Sequence, residues 1–94
     1  MPKDSSARAK KAMRIVQPRR GAGGWEVVRP GGKFPGAIAD NEETAIARGR
    51  EIVARTGGGR LVIKSAAGTV VAVELVDRFG NVEPLAHESS DGDR

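Results

Sequence analysis

Asp40-Asn41-Glu42-Glu43-Thr44-Ala45-Ile46-Ala47-Arg48-Gly49-Arg50-Glu51-Ile52-Val53-Ala54-Arg55-Thr56-Gly57 is the stretch whose periodicity decides the fold. Ala45, Ile46, Gly49, Ile52 and Val53 recur at helical spacing, so one stripe faces a core while Arg48, Glu51 and Arg55 fall together on another side. Asp40 with Glu43 three residues later reads as a capping box, and Glu42 and Glu43 suit the positive end of the helix dipole. Gly57-Gly58-Gly59 stops the helix. Gly49 costs about 1 kcal/mol relative to Ala in mid-helix, and on the apolar stripe its use is close approach to a sheet.

Outward from the helix the pattern changes to strands. Downstream, Arg60 to Ser65 alternates with Leu61 and Ile63 on one face, Ala66-Ala67-Gly68 makes a turn, and Thr69 to Val76 is the longest β-prone run. Upstream, Pro30 to Gly36 holds two prolines and three glycines and reads as a loop, followed by a short extended Ala37 to Ala39. Trp25 to Arg29 alternates, Arg19 to Gly24 is a basic, Gly-rich turn, and Met13 to Gln17 suits a strand. The expected architecture is α+β in the order β-β-α-β-β, an antiparallel sheet with one helix packed on one face. Ile15, Trp25, Val27, Leu61, Ile63, Val71, Val73 and Leu75 are the expected inward side chains of the strands. Glu26, Val28, Val62, Lys64, Val70, Ala72 and Glu74 are expected on the uncovered face.

The 94 residues allow one small domain, and with 38% hydrophobic and 30% charged residues its core is thin. Trp25, Phe34 and Phe79 are its only aromatics, so the core is aliphatic. There is no cysteine and a single histidine, His87, which excludes disulfides, thiolate nucleophiles and Cys-ligated metals. No apolar run approaches the roughly 20 residues of a membrane span. A cytoplasmic location is expected, with no membrane partner. The net charge of +4 is unevenly spread: residues 1–20 carry seven basic side chains against Asp4 alone, whereas residues 57–94 carry four positive and six negative charges. The expected organisation is a basic flexible arm at 1–12, a domain at 13–85 and an acidic flexible tail at 86–94.

Trp25-Glu26-Val27 after a Gly-rich turn, Glu43-Thr44-Ala45-Ile46-Ala47-Arg48, Leu61-Val62-Ile63-Lys64, Gly68 with Val70 behind it, and Phe79-Gly80-Asn81 together resemble a bacterial and phage family catalogued as domain of unknown function 2188. The resemblance runs from about Arg14 to Pro84. Ala67-Gly68 stands where that family often has Asp-Gly, and Gly49 stands near a position commonly filled by Ala. The resemblance implies a β-β-α-β-β arrangement and supplies no reaction, substrate or site.

Catalysis needs a positioned acid, base or nucleophile, and His87 lies in a polar tail with nothing apolar to fix it. Glu42 and Glu43 are adjacent and are explained by the helix dipole. The Gly-rich segments lack the Gly-Lys-Ser/Thr ending of a phosphate loop, and the second follows a helix where such loops precede one. The expectation is a protein without enzymatic activity, catalytic residue, metal, cofactor or small-molecule substrate. Two binding readings remain. The first is weak, sequence-tolerant nucleic-acid binding through Lys3, Arg8, Lys10, Lys11, Arg14, Arg19 and Arg20, which neutralise phosphates without reading bases. The second is a protein-interaction or homodimerisation module using Val28, Val62, Lys64, Val70 and Ala72 on the sheet face away from the helix.

Overall fold

The computed structural model describes residues 12–85. Among these residues the chain is α+β and forms six strands and one helix. The strands are β1 (Ala12–Pro18), β2 (Trp25–Val28), β3 (Ala37–Ala39), β4 (Gly58–Lys64), β5 (Val70–Asp77) and β6 (Val82–Pro84), and the helix α1 (Glu42–Arg55) lies between β3 and β4. They make one sheet in the order β3-β2-β1-β4-β5-β6. β1 begins at Ala12, a residue assigned to the arm from the sequence.

The sheet is mixed, which corrects the antiparallel, four-strand expectation. β1 and β4 are parallel neighbours, with Val16 beside Ile63, and every other pairing is antiparallel. The cause is β3. Ala37–Ala39 pairs with Trp25, Glu26 and Val27 as a full strand, adding one chain reversal before the helix. After that reversal α1 crosses the sheet and returns the chain to the end at which β1 began, so β4 runs with β1.

The helix forms where its periodicity predicts, but its cap is Asn41 rather than Asp40. Asn41 is extended and its side chain accepts the Thr44 N–H at 2.8 Å, satisfying one of the donors a helix start leaves unpaired. The helix ends at Arg55, and Thr56 closes it by donating its N–H to the Ile52 and Val53 carbonyls. Gly58 and Gly59 therefore belong to β4.

The core lies between α1 and one face of the sheet: Val16, Val27, Ala39, Leu61, Ile63 and Val76 from the strands, Ala45 and Val53 from the helix. Trp25, Ile46 and Ile52 pack at its margin. Gly49 lies at the closest approach. A Cβ there would sit 2.7 Å from Leu61 Cδ1 and 3.2 Å from Val16 Cγ2, so the sequence reading of this glycine holds. Gly24 has the backbone equivalent at the end of the first hairpin turn: its φ is +81°, and a Cβ would meet the Ala39 carbonyl oxygen at 2.7 Å.

Two strands have the opposite phase to that expected. In β1 the core side chain is Val16, which leaves Ile15 on the uncovered side. In β5 a bulge between Ile63 and Lys64 pairs Ile63 with Ala72 and Lys64 with Val70. One extra residue flips every later side chain. Ala72, Glu74 and Val76 consequently turn toward the helix, and Val73 and Leu75 turn away.

Candidate binding surfaces

The sheet register arranges the uncovered face in three rows. The middle row is aliphatic across four strands: Val28, Ile15, Val62 and Val73 are successive partners, and Leu85, just beyond β6, whose N–H donates to the Val73 carbonyl at 2.8 Å, continues it. No element among the described residues stands over this row. Val62 is nevertheless only 8% exposed, shielded by the aliphatic neighbours around it.

On one side of this row stand Glu26, Gln17 and Lys64. Gln17 Nε2 donates to Glu26 Oε2 at 2.8 Å, Lys64 Nζ donates to Gln17 Oε1 at 3.5 Å, and Arg19 Nε lies 4.0 Å from Glu26 Oε1. These residues floor a polar groove of about 620 Å³ between the β1–β2 and β4–β5 turns, with Arg20, Ala66, Ala67 and Gly68 on its walls. The parallel pairing of β1 with β4 creates this groove by bringing two hairpin turns to the same end of the sheet. On the other side of the apolar row stand Met13, Arg60, Leu75 and Glu83. The formal charges of the three rows are Arg60 and Lys64 against Glu26 and Glu83, so the face itself is neutral.

Val28, Val62 and Lys64 thus lie on the uncovered face as expected, and Val70, opposite Lys64, stands at its margin. Ala72 does not. The bulge turns it into the core margin, and it is withdrawn from the interaction set. Glu74 is likewise on the helix side, where Arg50 grips it through Nε and Nη2 at 2.8 and 2.7 Å. That hydrogen bond raises the Arg50 pKa above its ordinary value.

Of the residues expected to contact nucleic acid, Lys3, Arg8, Lys10 and Lys11 lie outside the described residues. The remaining three are not together. Arg19 and Arg20 flank the polar groove, whereas Arg14 shares the helix side with Leu61. Its pKa is lowered by desolvation and by the neighbouring Arg29.

A second hollow, of about 430 Å³, lies between the C-terminal half of α1 and the β5–β6 turn and is lined by Arg50, Glu51, Ala54, Arg55, Arg78, Phe79 and Gly80. Sequence reading did not find it. Its turn is held by one side chain: Asp77 Oδ1 accepts the N–H groups of Phe79 and Asn81 at 2.9 Å each, and Asp77 Oδ2 accepts Asn81 Nδ2 at 3.0 Å. These bonds, that from the Asn81 side chain foremost, hold the Asp77 pKa below the ordinary value of 3.8. The Asp-x-x-x-Asn spacing of Asp77 and Asn81 was the available signal.

Among the described residues no group of three His, Cys, Asp or Glu side chains is placed to hold a metal ion, and no helix is long and apolar enough to cross a membrane. No curated protein and no solved structure matches the chain. A family model does match, over residues 14–73, a span that takes in the helix, β4 and β5 up to Val73. On that match the chain belongs to a family of uncharacterized proteins conserved in bacteria, DUF2188.

Proposed function

We propose that this protein is a non-enzymatic binding module that works as a homodimer, two copies packing their uncovered sheet faces together. The observation that carries the reading is the row Val28, Ile15, Val62, Val73 and Leu85, which crosses the sheet from β2 to beyond β5 with no second layer among the described residues. An aliphatic strip rimmed by polar groups is the surface expected of a protein contact. The occupant follows from charge and composition. A neutral rim holds no excess of cations for a polyanion, whereas two cations and two carboxylates let the face meet a second copy of itself. Residues 1–11 and 86–94 contribute Met1 as their only large apolar side chain, which is too little apolar surface to match the row.

The strand order also suits an isologous contact. β1 and β4 are the central pair, so a two-fold axis along the strands would stack Ile15 of each copy on Val62 of the other. Strands about 4.8 Å apart give three rows an area on the order of 500 Å² per copy. The total, roughly 1,000 Å², is at the lower limit of a specific interface and fits a dimer of micromolar affinity.

Sedimentation equilibrium of the full chain across the micromolar range tests this. The expected result is a monomer–dimer equilibrium that Val62→Lys with Val73→Lys abolishes while the circular dichroism spectrum stays native. Leu75→Lys, at the rim, should weaken it less. A monomer mass at several hundred micromolar would refute the reading.

A further inference from the structure

We infer that the hollow between α1 and the β5–β6 turn binds single-stranded nucleic acid, with Phe79 as a stacking platform and Arg55 and Arg78 as phosphate contacts. Phe79 is 76% exposed in a chain with three aromatic residues, and its backbone is held in place. Its own N–H and both flanking constraints of the turn run to Asp77: the Gly80 N–H donates to the Asp77 carbonyl, and the Asp77 N–H to the Asn81 carbonyl, each at 3.0 Å. With the backbone fixed in this way, only the two side-chain torsions of Phe79 remain to be ordered when a planar group stacks on its ring. The Arg78 guanidinium already stands 5.0 Å from the ring centroid, a cation–π contact that leaves the ring's other surface for a base.

The charge of the hollow favours the same ligand. Arg50 is committed to Glu74, and Arg48 and Arg55 share the single carboxylate of Glu51 at 3.4 and 2.9 Å. Arg78 forms no ion pair among the described residues. Guanidinium groups beside an exposed aromatic ring match the alternation of phosphate and base along a single strand, whereas a duplex presents phosphates without free base faces. The chain also enters the sheet at this end: Ala12 pairs with Gly59, and Gly59 with Val76, the neighbour of Asp77. The site is on the helix side, so pairing of the open faces leaves it accessible, and the inference stands or falls independently of the dimer.

Fluorescence anisotropy of labelled oligothymidylate and oligouridylate, with a duplex of equal length as reference, tests it on the full chain. Both single strands should bind more tightly than the duplex at moderate salt. Phe79→Ala should lose at least fivefold in affinity, the lower end for one stacked base, while Phe79→Trp retains it. Arg55→Gln with Arg78→Gln should weaken binding and flatten its salt dependence. Arg19→Gln with Arg20→Gln removes the same charge from the other end of the sheet and should change affinity less than twofold. Equal losses from the two arginine pairs, an unchanged Phe79→Ala variant with native circular dichroism, or no binding to either single strand at low salt would each overturn the inference.

Discussion

The two faces of the sheet are built from the same aliphatic side chains, and they differ in what stands over them. On the covered face Val16, Val27, Leu61 and Ile63 meet α1, which Gly49 brings into contact with the sheet. On the open face Ile15, Val28, Val62 and Val73 stand side by side, and no element among the described residues lies over them. The comparison teaches that in so small a domain an apolar strand residue does not by itself identify the core. The core is fixed by the element that crosses it.

Leu61 and Val62 are adjacent and point to opposite faces, which makes them the sharpest way to break the comparison. Leu61 is fully buried, and Leu61→Ala should cost about 3 kcal/mol, the usual range for a large-to-small change in a core. For a domain whose total stability is on the order of 5 kcal/mol, that leaves about 2 kcal/mol and a few per cent of the protein unfolded at equilibrium. Val62→Ala should cost about 1 kcal/mol at concentrations where the protein is monomeric. Urea unfolding monitored by Trp25 fluorescence reads both. Equal losses would mean that the open face is already covered within a single chain.

Gly49 tests the same contrast from the helix. Replacing it with Ala gains about 1 kcal/mol of helix propensity, but the new methyl group sits 2.7 Å from Cδ1 of the fully buried Leu61, so the Leu61 side chain must shift. Overpacking of this kind costs about 1–3 kcal/mol, so Gly49→Ala should be mildly destabilising and Gly49→Val strongly so. A stabilised Gly49→Ala variant would show that the helix can ride outward, and that the covered face is less tightly fitted than its distances imply.

These contrasts mark what could be read from the sequence. The helix, its apolar stripe, the purpose of Gly49 and the Arg48–Glu51–Arg55 cluster were legible because helical spacing is a periodic signal carried over four turns. Val28, Val62 and Lys64 were placed on the open face correctly by period-two alternation. Ile15, Val73 and Leu75 were not, because aliphatic residues fill both faces of β1 and β5 and alternation then has no sign. The bulge opposite Ile63 and Lys64 leaves no mark in composition, yet it alone decides that Ala72 turns inward. β6, three residues long, was too short to be recognised, and the equally short Ala37 to Ala39 was read as extended but not as a paired strand of the sheet, which reversed the predicted direction of β4. The Phe79 hollow went unseen because it joins a helix end to a turn that is distant in sequence.

Asp77 extends the comparison to the edge of the open face, where all three residues of β6 are exposed and little hydrophobic packing holds the strand. What fixes the entry to β6 is a carboxylate accepting three hydrogen bonds, in contrast to the side-chain packing that fixes the covered strands. The sign of the resulting pH dependence follows from the lowered pKa. A carboxyl group whose folded pKa lies below its unfolded value contributes stability that is fully present above the ordinary value of 3.8 and is lost as pH falls through the folded pKa. Acidification below that value should therefore loosen the turn and β6 while the covered core stays intact. The Asp77 carboxyl carbon, followed by NMR, should titrate below 3.8, and Asn81→Ala should move its midpoint up by removing the largest cause of the shift. Amide exchange of Phe79 and Asn81 should quicken over the same interval, with Leu61 and Val16 unaffected. Simultaneous loss of protection at all four would show that the open-face edge shares the cooperativity of the core, and the difference between the two faces would then lie in burial alone.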